Sequence, residues 1–389
     1  MRKSFSRFVY ATLVILPFCL HAVGAEPPAT NTLVSIAAIQ PKSRLLDWRL
    51  RDQDQIIAKV QTSLSELEGL IEKAAAEGCT AIALPEDTLG LGTWLAANEK
   101  LAREVLPIAV DQMLERFGKL AAKHHIYVVC CNDHALPDGT IYNTAFLIGP
   151  DGKLIGRYRK VCPTIHESAR SRGSEFPVFP TPEFGGIGML ICYDMVFPET
   201  ARALALGGAD IIFHPTLGGA AIGDADISRA AFRTRAVENF VYLVVAQRGS
   251  GSMIISPKGK IIAEAKGADS MAIAEIDPFG GREGGDAMNH QRDMRARLFR
   301  ERNPAAFHIL TDPNPPALAE LPETITPAEA REIANKVLTT GEDEFRAADT
   351  LLRNGKIPEA REAFERLRKE YRGSWIDRVS AERLAKLPK

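Results

Sequence analysis

The chain has 389 residues, 46% hydrophobic and 25% charged, with a net charge of −1. That length allows one large core plus additions, and the near-zero charge leaves no bulk field to hold nucleic acid or an anionic membrane. Six cysteines in so long a chain exclude a disulfide scaffold.

In chain order, a short basic stretch, "MRKSFSR", comes first. The apolar "FVYATLVILPFCL" follows, and then "AVGA", with small residues at Val23 and Ala25. This layout predicts a secretory signal peptide, residues 1–25, cut after Ala25. The apolar run is shorter than the roughly 20 residues a spanning helix needs. The expected product is exported, to the periplasm or beyond. Cleavage leaves Cys79, Cys130, Cys131, Cys162 and Cys192, an odd number, so at least one thiol is unpaired.

"VSIAAIQ" reads as a strand. Ile56, Ile57, Val60, Leu64, Leu67, Leu70, Ile71 and Ala74 recur at helical spacing, and Gly78 ends that helix. "AIALPE" is the next strand, a helix is expected over 98–124, and "IYVVCC" reads as a core strand with two buried thiols. "TAFLIG" and "KLIGRYRK" pair across the turn "PDG". Beyond "IGML", helices at 198–206 and in "ISRAAFRTRAVEN" alternate with strands "IIFH" and "VYLVVAQ". The strands "SMIIS", "KIIAEA" and "MAIAEID" close the series. The mixture predicts an α/β layered fold with helices on both outer faces.

Residues 311–326 are Pro-rich and read as a linker. Residues 327–389 form a helical extension. In it Ala348, Leu352, Gly355, Ala360, Phe364 and Leu367 resemble a single tetratricopeptide unit. One such unit cannot bury its own apolar face. It packs on the body, on another subunit or on an outside protein, with the body the first expectation.

Glu86, Lys160 and Cys192 each end a predicted strand. Cys192, at the strand-to-helix corner "GMLICYDMVFPE", is either an ordinary buried thiol or a poised nucleophile. A thiol attacks as thiolate. A carboxylate in reach can take its proton, and a lysine can relieve the repulsion between the two anions and hold an oxyanion. His166 and His214, the nearest histidines, sit in no triad motif.

"LPED" around Glu86, "GRYRKVCPTIHE" around Lys160 and "ICYDMVFPE" around Cys192 resemble the Glu–Lys–Cys triad of the nitrilase superfamily, the carbon–nitrogen hydrolases. "YNTAFLIGPDGKLIGRYRK", "RTRAVENFVYLVVAQ" and "SMIISPKGKIIAEA" are similar to its segments in the same order, so the likeness spans 33–310. The resemblance implies a four-layer α-β-β-α sandwich, usually dimeric or a higher homo-oligomer, with no metal or organic cofactor. It implies Cys192 as a thioester-forming nucleophile and Glu86 as general base. Lys160 and the Tyr193 backbone N–H would hold the oxyanion, and Glu167 would orient the lysine or the substrate.

Two departures bear on the pocket. "SRGSEFPVF" lacks the family's frequent Pro-Gly pair, and "HPTLGG" replaces a "PAAF"-like stretch of the amidase branch, which makes His214 and Thr216 candidate substrate contacts. Arg170 and Arg172 follow Glu167, either as binders of a substrate carboxylate or as solvated surface groups. Tyr193-Asp194 stands where true nitrilases carry Trp-Glu, so the expected substrate is a small linear amide or N-carbamoyl (ureido) compound. The alternatives are a true nitrilase, or a secreted interaction protein on an inactive hydrolase body that meets a partner through its C-terminal helices.

Overall fold

The computed structural model describes residues 33–218, 225–282, 293–321, 325–339, 341–372 and 374–388. The segment 1–25 lies outside them.

Strands that are covered on both faces have no reason to alternate polar with apolar residues, and the first half of the chain shows this. In β1 (Val34–Gln40), Val34, Ile36 and Ala38 face one core while Ala37 and Ile39 face another. The same split divides β2 (Ala81–Ala83), β3 (Tyr127–Ala135) and β4 (Ile141–Ile148), and it sends Cys131 to one side and Cys130 to the other. The outer core is closed by α1 (Gln53–Ala76) and α3 (Glu99–His124). Helix α1 buries Ile56, Val60, Leu64, Leu67, Leu70, Ile71 and Ala74 along one stripe, and Asp52 caps its start by accepting from the Gln55 N–H. A short helix, α2 (Gly92–Ala97), precedes α3 and was not evident from periodicity.

With β5 (Leu154–Arg159) the first sheet is complete, in the order β12-β1-β2-β3-β4-β5. The second sheet has the order β11-β10-β9-β8-β7-β6. Its members are β6 (Val178–Thr181), β7 (Gly185–Met189), β8 (Ala209–Thr216), β9 (Tyr242–Gln247), β10 (Met253–Ile255) and β11 (Ile261–Glu264). The last strand, β12 (Ser270–Ile276), returns to pair antiparallel with β1. Helices α4 (Pro198–Leu206) and α5 (Ala225–Asn239) belong to the second sheet's side. The result is the four-layer α-β-β-α sandwich, with the inner core between the sheets built on Leu147, Ile187, Met189, Phe213 and Val244.

After α6 (Met294–Glu301) the chain passes through 3₁₀ turns at Pro304–Thr311 and Pro316–Ala319, none of whose residues is buried. Four helices follow: α7 (Pro327–Thr339), α8 (Glu342–Arg353), α9 (Ile357–Glu370) and α10 (Trp375–Lys386). Phe345, Phe364, Leu367, Trp375 and Ile376 make a small separate core for the last three, and Trp48 of the body packs against it. The Trp48 and Trp375 rings meet edge-on at 6.2 Å, and the Arg49 guanidinium lies 4.8 Å from the Phe345 and Trp375 ring centres.

No helix among the described residues is long and apolar enough to cross a membrane. Because Phe364 is fully buried in this small cluster, Phe364→Ala should cost about 3–5 kcal/mol locally. Hydrogen exchange is expected to speed up across α8–α10 and stay unchanged in β1–β4. Equal loss of protection in both would show that the cluster is not a separate cooperative unit.

Candidate active site

Sheet pairing brings the chemistry together at strand ends. Glu86 follows β2 in a turn held by Thr88, whose N–H donates to the Cys131 carbonyl and whose hydroxyl donates to that of Pro85. The Asp87 backbone is left-handed, φ 51°. Lys160 follows β5, and its N–H donates to the Asn143 carbonyl on β4. Asn143 pairs in register with Asp133 on β3. Cys192 and Thr216 come from the ends of β7 and β8 in the facing sheet.

The Lys160 ammonium is 2% exposed. It donates to Glu86 Oε1 at 3.1 Å and to Glu167 Oε2 at 2.9 Å, which leaves a third N–H for a substrate. Burial alone would pull its pKa down, but the Glu86 and Glu167 carboxylates beside it more than reverse this and hold it above the ordinary lysine range. Glu86 also accepts from Asn143 Nδ2 at 2.7 Å and, through its other oxygen, from the Leu217 N–H at 3.1 Å. It is thereby aimed along one line.

Glu167 belongs to a 3₁₀ turn, Ile165–Glu167, that Thr164 caps reciprocally. Burial raises its pKa, but Lys160 and Arg170 outweigh that and bring it down to about 2. Arg170 donates to Asp133 through two parallel bonds of 2.6 and 2.7 Å.

The Cys192 backbone is left-handed, φ 45°, a conformation costing about 1–2 kcal/mol for a residue with a side chain. Asp194, wholly buried, holds the turn. It accepts from Tyr158 Oη at 2.7 Å, the Ile191 N–H at 3.0 Å and the Cys162 N–H at 2.7 Å. The thiol faces Glu86 and Thr216. Burial, then the Glu86 charge, push it up to about 12 despite Lys160. At rest it is a neutral thiol beside a carboxylate. Tyr193 stands in the first turn of the 3₁₀ helix Cys192–Val196, where backbone N–H groups lack intrahelical partners.

Glu86, Lys160, Glu167 and Cys192 therefore converge, with Thr216 and the Tyr193 amide alongside. Arg170 reaches the cluster's edge, but its fork is filled by Asp133. Arg172 is exposed, near Cys162. His214 is 1% exposed and packs edge-on to Phe232, and burial drives its pKa down to about 3. It is a neutral ring within the core. Sequence reasoning missed Asn143, Asp133 and the holding role of Asp194. Polar residues inside the apolar strands "YVVCCNDHA" and "IYNTAFLI" were the available signal.

Residues 35–282 match the carbon-nitrogen hydrolase family. A deaminated glutathione amidase of Synechocystis is 34% identical over 241 residues, 56% of this chain and 86% of that one. A Pyrococcus abyssi nitrilase is 32% identical over 236 residues, 57% and 86%. Human omega-amidase NIT2 is 26% identical over 253 residues, 57% and 88%. Among solved structures, Saccharomyces cerevisiae Nit3 superposes with a TM-score of 0.52 at 25% identity, covering 63% of this chain and 90% of its own.

Because the Glu86 charge raises the thiol, Glu86→Gln should lower the Cys192 pKa from about 12. Thiolate absorbance at about pH 10, taken as the difference from Cys192→Ala, is expected to be larger in Glu86→Gln than in the wild type. Equal or smaller absorbance would place the Glu86 charge away from the sulfur.

Proposed function

The chain belongs to the carbon-nitrogen hydrolase family, whose members cleave non-peptide C–N bonds, and from that premise we propose that it hydrolyses small linear amides through a Cys192 thioester. One observation carries the reading: a neutral thiol stands against an oriented carboxylate, with a buried ammonium bonded to that carboxylate.

Cys192 Sγ attacks the amide carbon while Glu86 takes its proton. The new oxyanion is held by the third Lys160 N–H and the Tyr193 amide. The C–N bond then breaks, and the leaving nitrogen takes the proton from Glu86 and departs as ammonia or an amine. Water, deprotonated by Glu86, attacks the thioester and releases the acid and the free thiol. Glu167 keeps Lys160 aimed throughout.

The buried Lys160 and the partly buried Arg170 and Arg248 are each matched by carboxylates, Arg248 by Asp87 at 3.4 Å. That matching favours recognition of the neutral amide or ureido group itself over a charged tail. Nitrile hydrolysis is the second reading, kept open by the similarity to an archaeal nitrilase.

Ammonia release is to be measured on a panel of small amides, ureido acids and nitriles. We expect turnover of a neutral amide, abolished in Cys192→Ala and reduced about 10²- to 10⁴-fold in Glu86→Gln. Preferred turnover of nitriles selects the second reading. Turnover surviving Cys192→Ala overturns the thioester route.

We further propose export with loss of residues 1–25, from their basic, apolar and small-residue order. The exposed apolar Phe307, Ile309, Leu310, Leu318 and Leu321 favour a homodimer. Intact mass and sedimentation of protein recovered outside the cytoplasm read both. A retained Met1 overturns the first proposal, and a monomer overturns the second.

A further inference from the structure

Helix α7 lies beyond the residues that match the family, yet it packs on the turn that carries Glu167. It begins cleanly. Pro327 sits at its first position, the Thr326 N–H donates to Glu329 Oε2 at 2.7 Å, and the Glu329 N–H returns to Thr326 Oγ1 at 3.2 Å. One turn in, Ala330 is 4% exposed, and α7 touches both the Ile165–Glu167 turn and α2.

The next residue, Arg331, spans the two. Its Nε and Nη2 donate to Ser168 Oγ at 3.2 and 3.0 Å, and its Nη1 lies 3.5 Å from Glu99 Oε2 at the start of α3. Ser168 follows Glu167 directly. Glu99 heads the helix that follows the Glu86 turn and α2. One guanidinium thus ties together the rims of the segments that carry the two carboxylates bonded to Lys160.

The inside of the Glu167 loop is held by Lys160, by the Thr164 cap and by the Arg170–Asp133 pair. On the outer side, Ser168 Oγ accepts both of its bonds from Arg331. We propose that Arg331, presented by α7, is a positioning residue: it holds Ser168, and through it the Glu167 carboxylate, so that the C-terminal extension sets the aim of the Lys160 ammonium. This deepens the amidase reading above and, in its kinetic part, rests on it.

The contact is partly exposed, the Arg331 side chain being 41% accessible, so the effect is modest. Arg331→Ala should lower kcat roughly two- to five-fold with little change in KM, and Arg331→Lys should recover part of it. Ala330→Glu, which pushes α7 off the turn while leaving the Arg331 side chain chemically intact, should act in the same direction. If Arg331 works through Ser168, then Ser168→Ala lowers kcat similarly and the double variant is no worse than either single one.

Hydrogen exchange gives a readout independent of turnover. The Glu167 and Arg170 amides, bonded to the Thr164 and Glu167 carbonyls, should exchange faster in Arg331→Ala, while α8–α10 and the melting temperature stay as in the wild type. Unchanged exchange at those two amides together with unchanged kcat overturns the proposal. Additive effects of the Arg331 and Ser168 changes also overturn it. If the wild type turns over no compound of the panel, the amidase reading fails, and the exchange result alone decides whether α7 braces the loop.

Discussion

A lysine ammonium removed from water must find negative charge close by, or it sheds its proton. Lys160 is almost wholly buried and keeps its proton because Glu86 and Glu167 both reach it. Much else in the molecule follows from that requirement. Two carboxylates at one ammonium leave an excess of negative charge, and Asp133 adds to it. Arg170 enters against Asp133, and Glu167 feels it as well. The remaining negative field falls on the sulfur. Burial first, and then the Glu86 charge, hold the Cys192 thiol well above its ordinary range. A protonated thiol is also a poor target for oxidants.

The Cys192 turn is held by a different device. A left-handed backbone at a residue with a side chain persists only where its surroundings over-determine it. Asp194 supplies that constraint, with three donors on one buried carboxylate. Burial raises its pKa, and the hydrogen bonds from Tyr158, Ile191 and Cys162 oppose the rise. At this turn the Cys192 thiol lies beside Glu86, which follows β2 in the facing sheet. The cluster is thus shared between the sheets: Glu86 and Lys160 follow strands of the first, and Cys192 follows a strand of the second.

This division explains what could be read in advance. The stripes of α1 and the apolar run of β1 are local patterns, and their burial follows the periodicity, with Ile57 alone of the α1 stripe left partly buried at its edge. Glu86, Lys160, Glu167 and Cys192 stood out because their motifs are contiguous in sequence. Asn143 and Asp133 did not, since their role arises only when β3 and β4 pair in register. Arg170 and His214 were legible as residue types but not as environments. A bidentate carboxylate partner and a fully buried ring are properties of three-dimensional contact, which no spacing rule reports. The break at Asn98 between α2 and α3 was hidden for a similar reason. Its amide is spent on the Trp48 and Trp94 carbonyls, and the first of these is remote in sequence.

The extension beyond residue 310 shows how such contacts accumulate. Helices α8–α10 enclose few large side chains, and a core that small is marginal alone. Trp48 and Arg49, from the segment between β1 and α1, complete it, and Lys59 of α1 pairs with Glu382 at 3.0 Å. Docking of α8–α10 on the body fixes one end of the extension. The unburied strap 304–319 reaches it from α6, and α7 lies between the strap and the docked helices. A helix tethered on both sides and packed against the Glu167 turn restricts that turn at little cost, because the ordering entropy was already spent in docking its neighbours. The four layers place the charges. The added helices narrow the freedom of the one loop on which the lysine's second carboxylate depends.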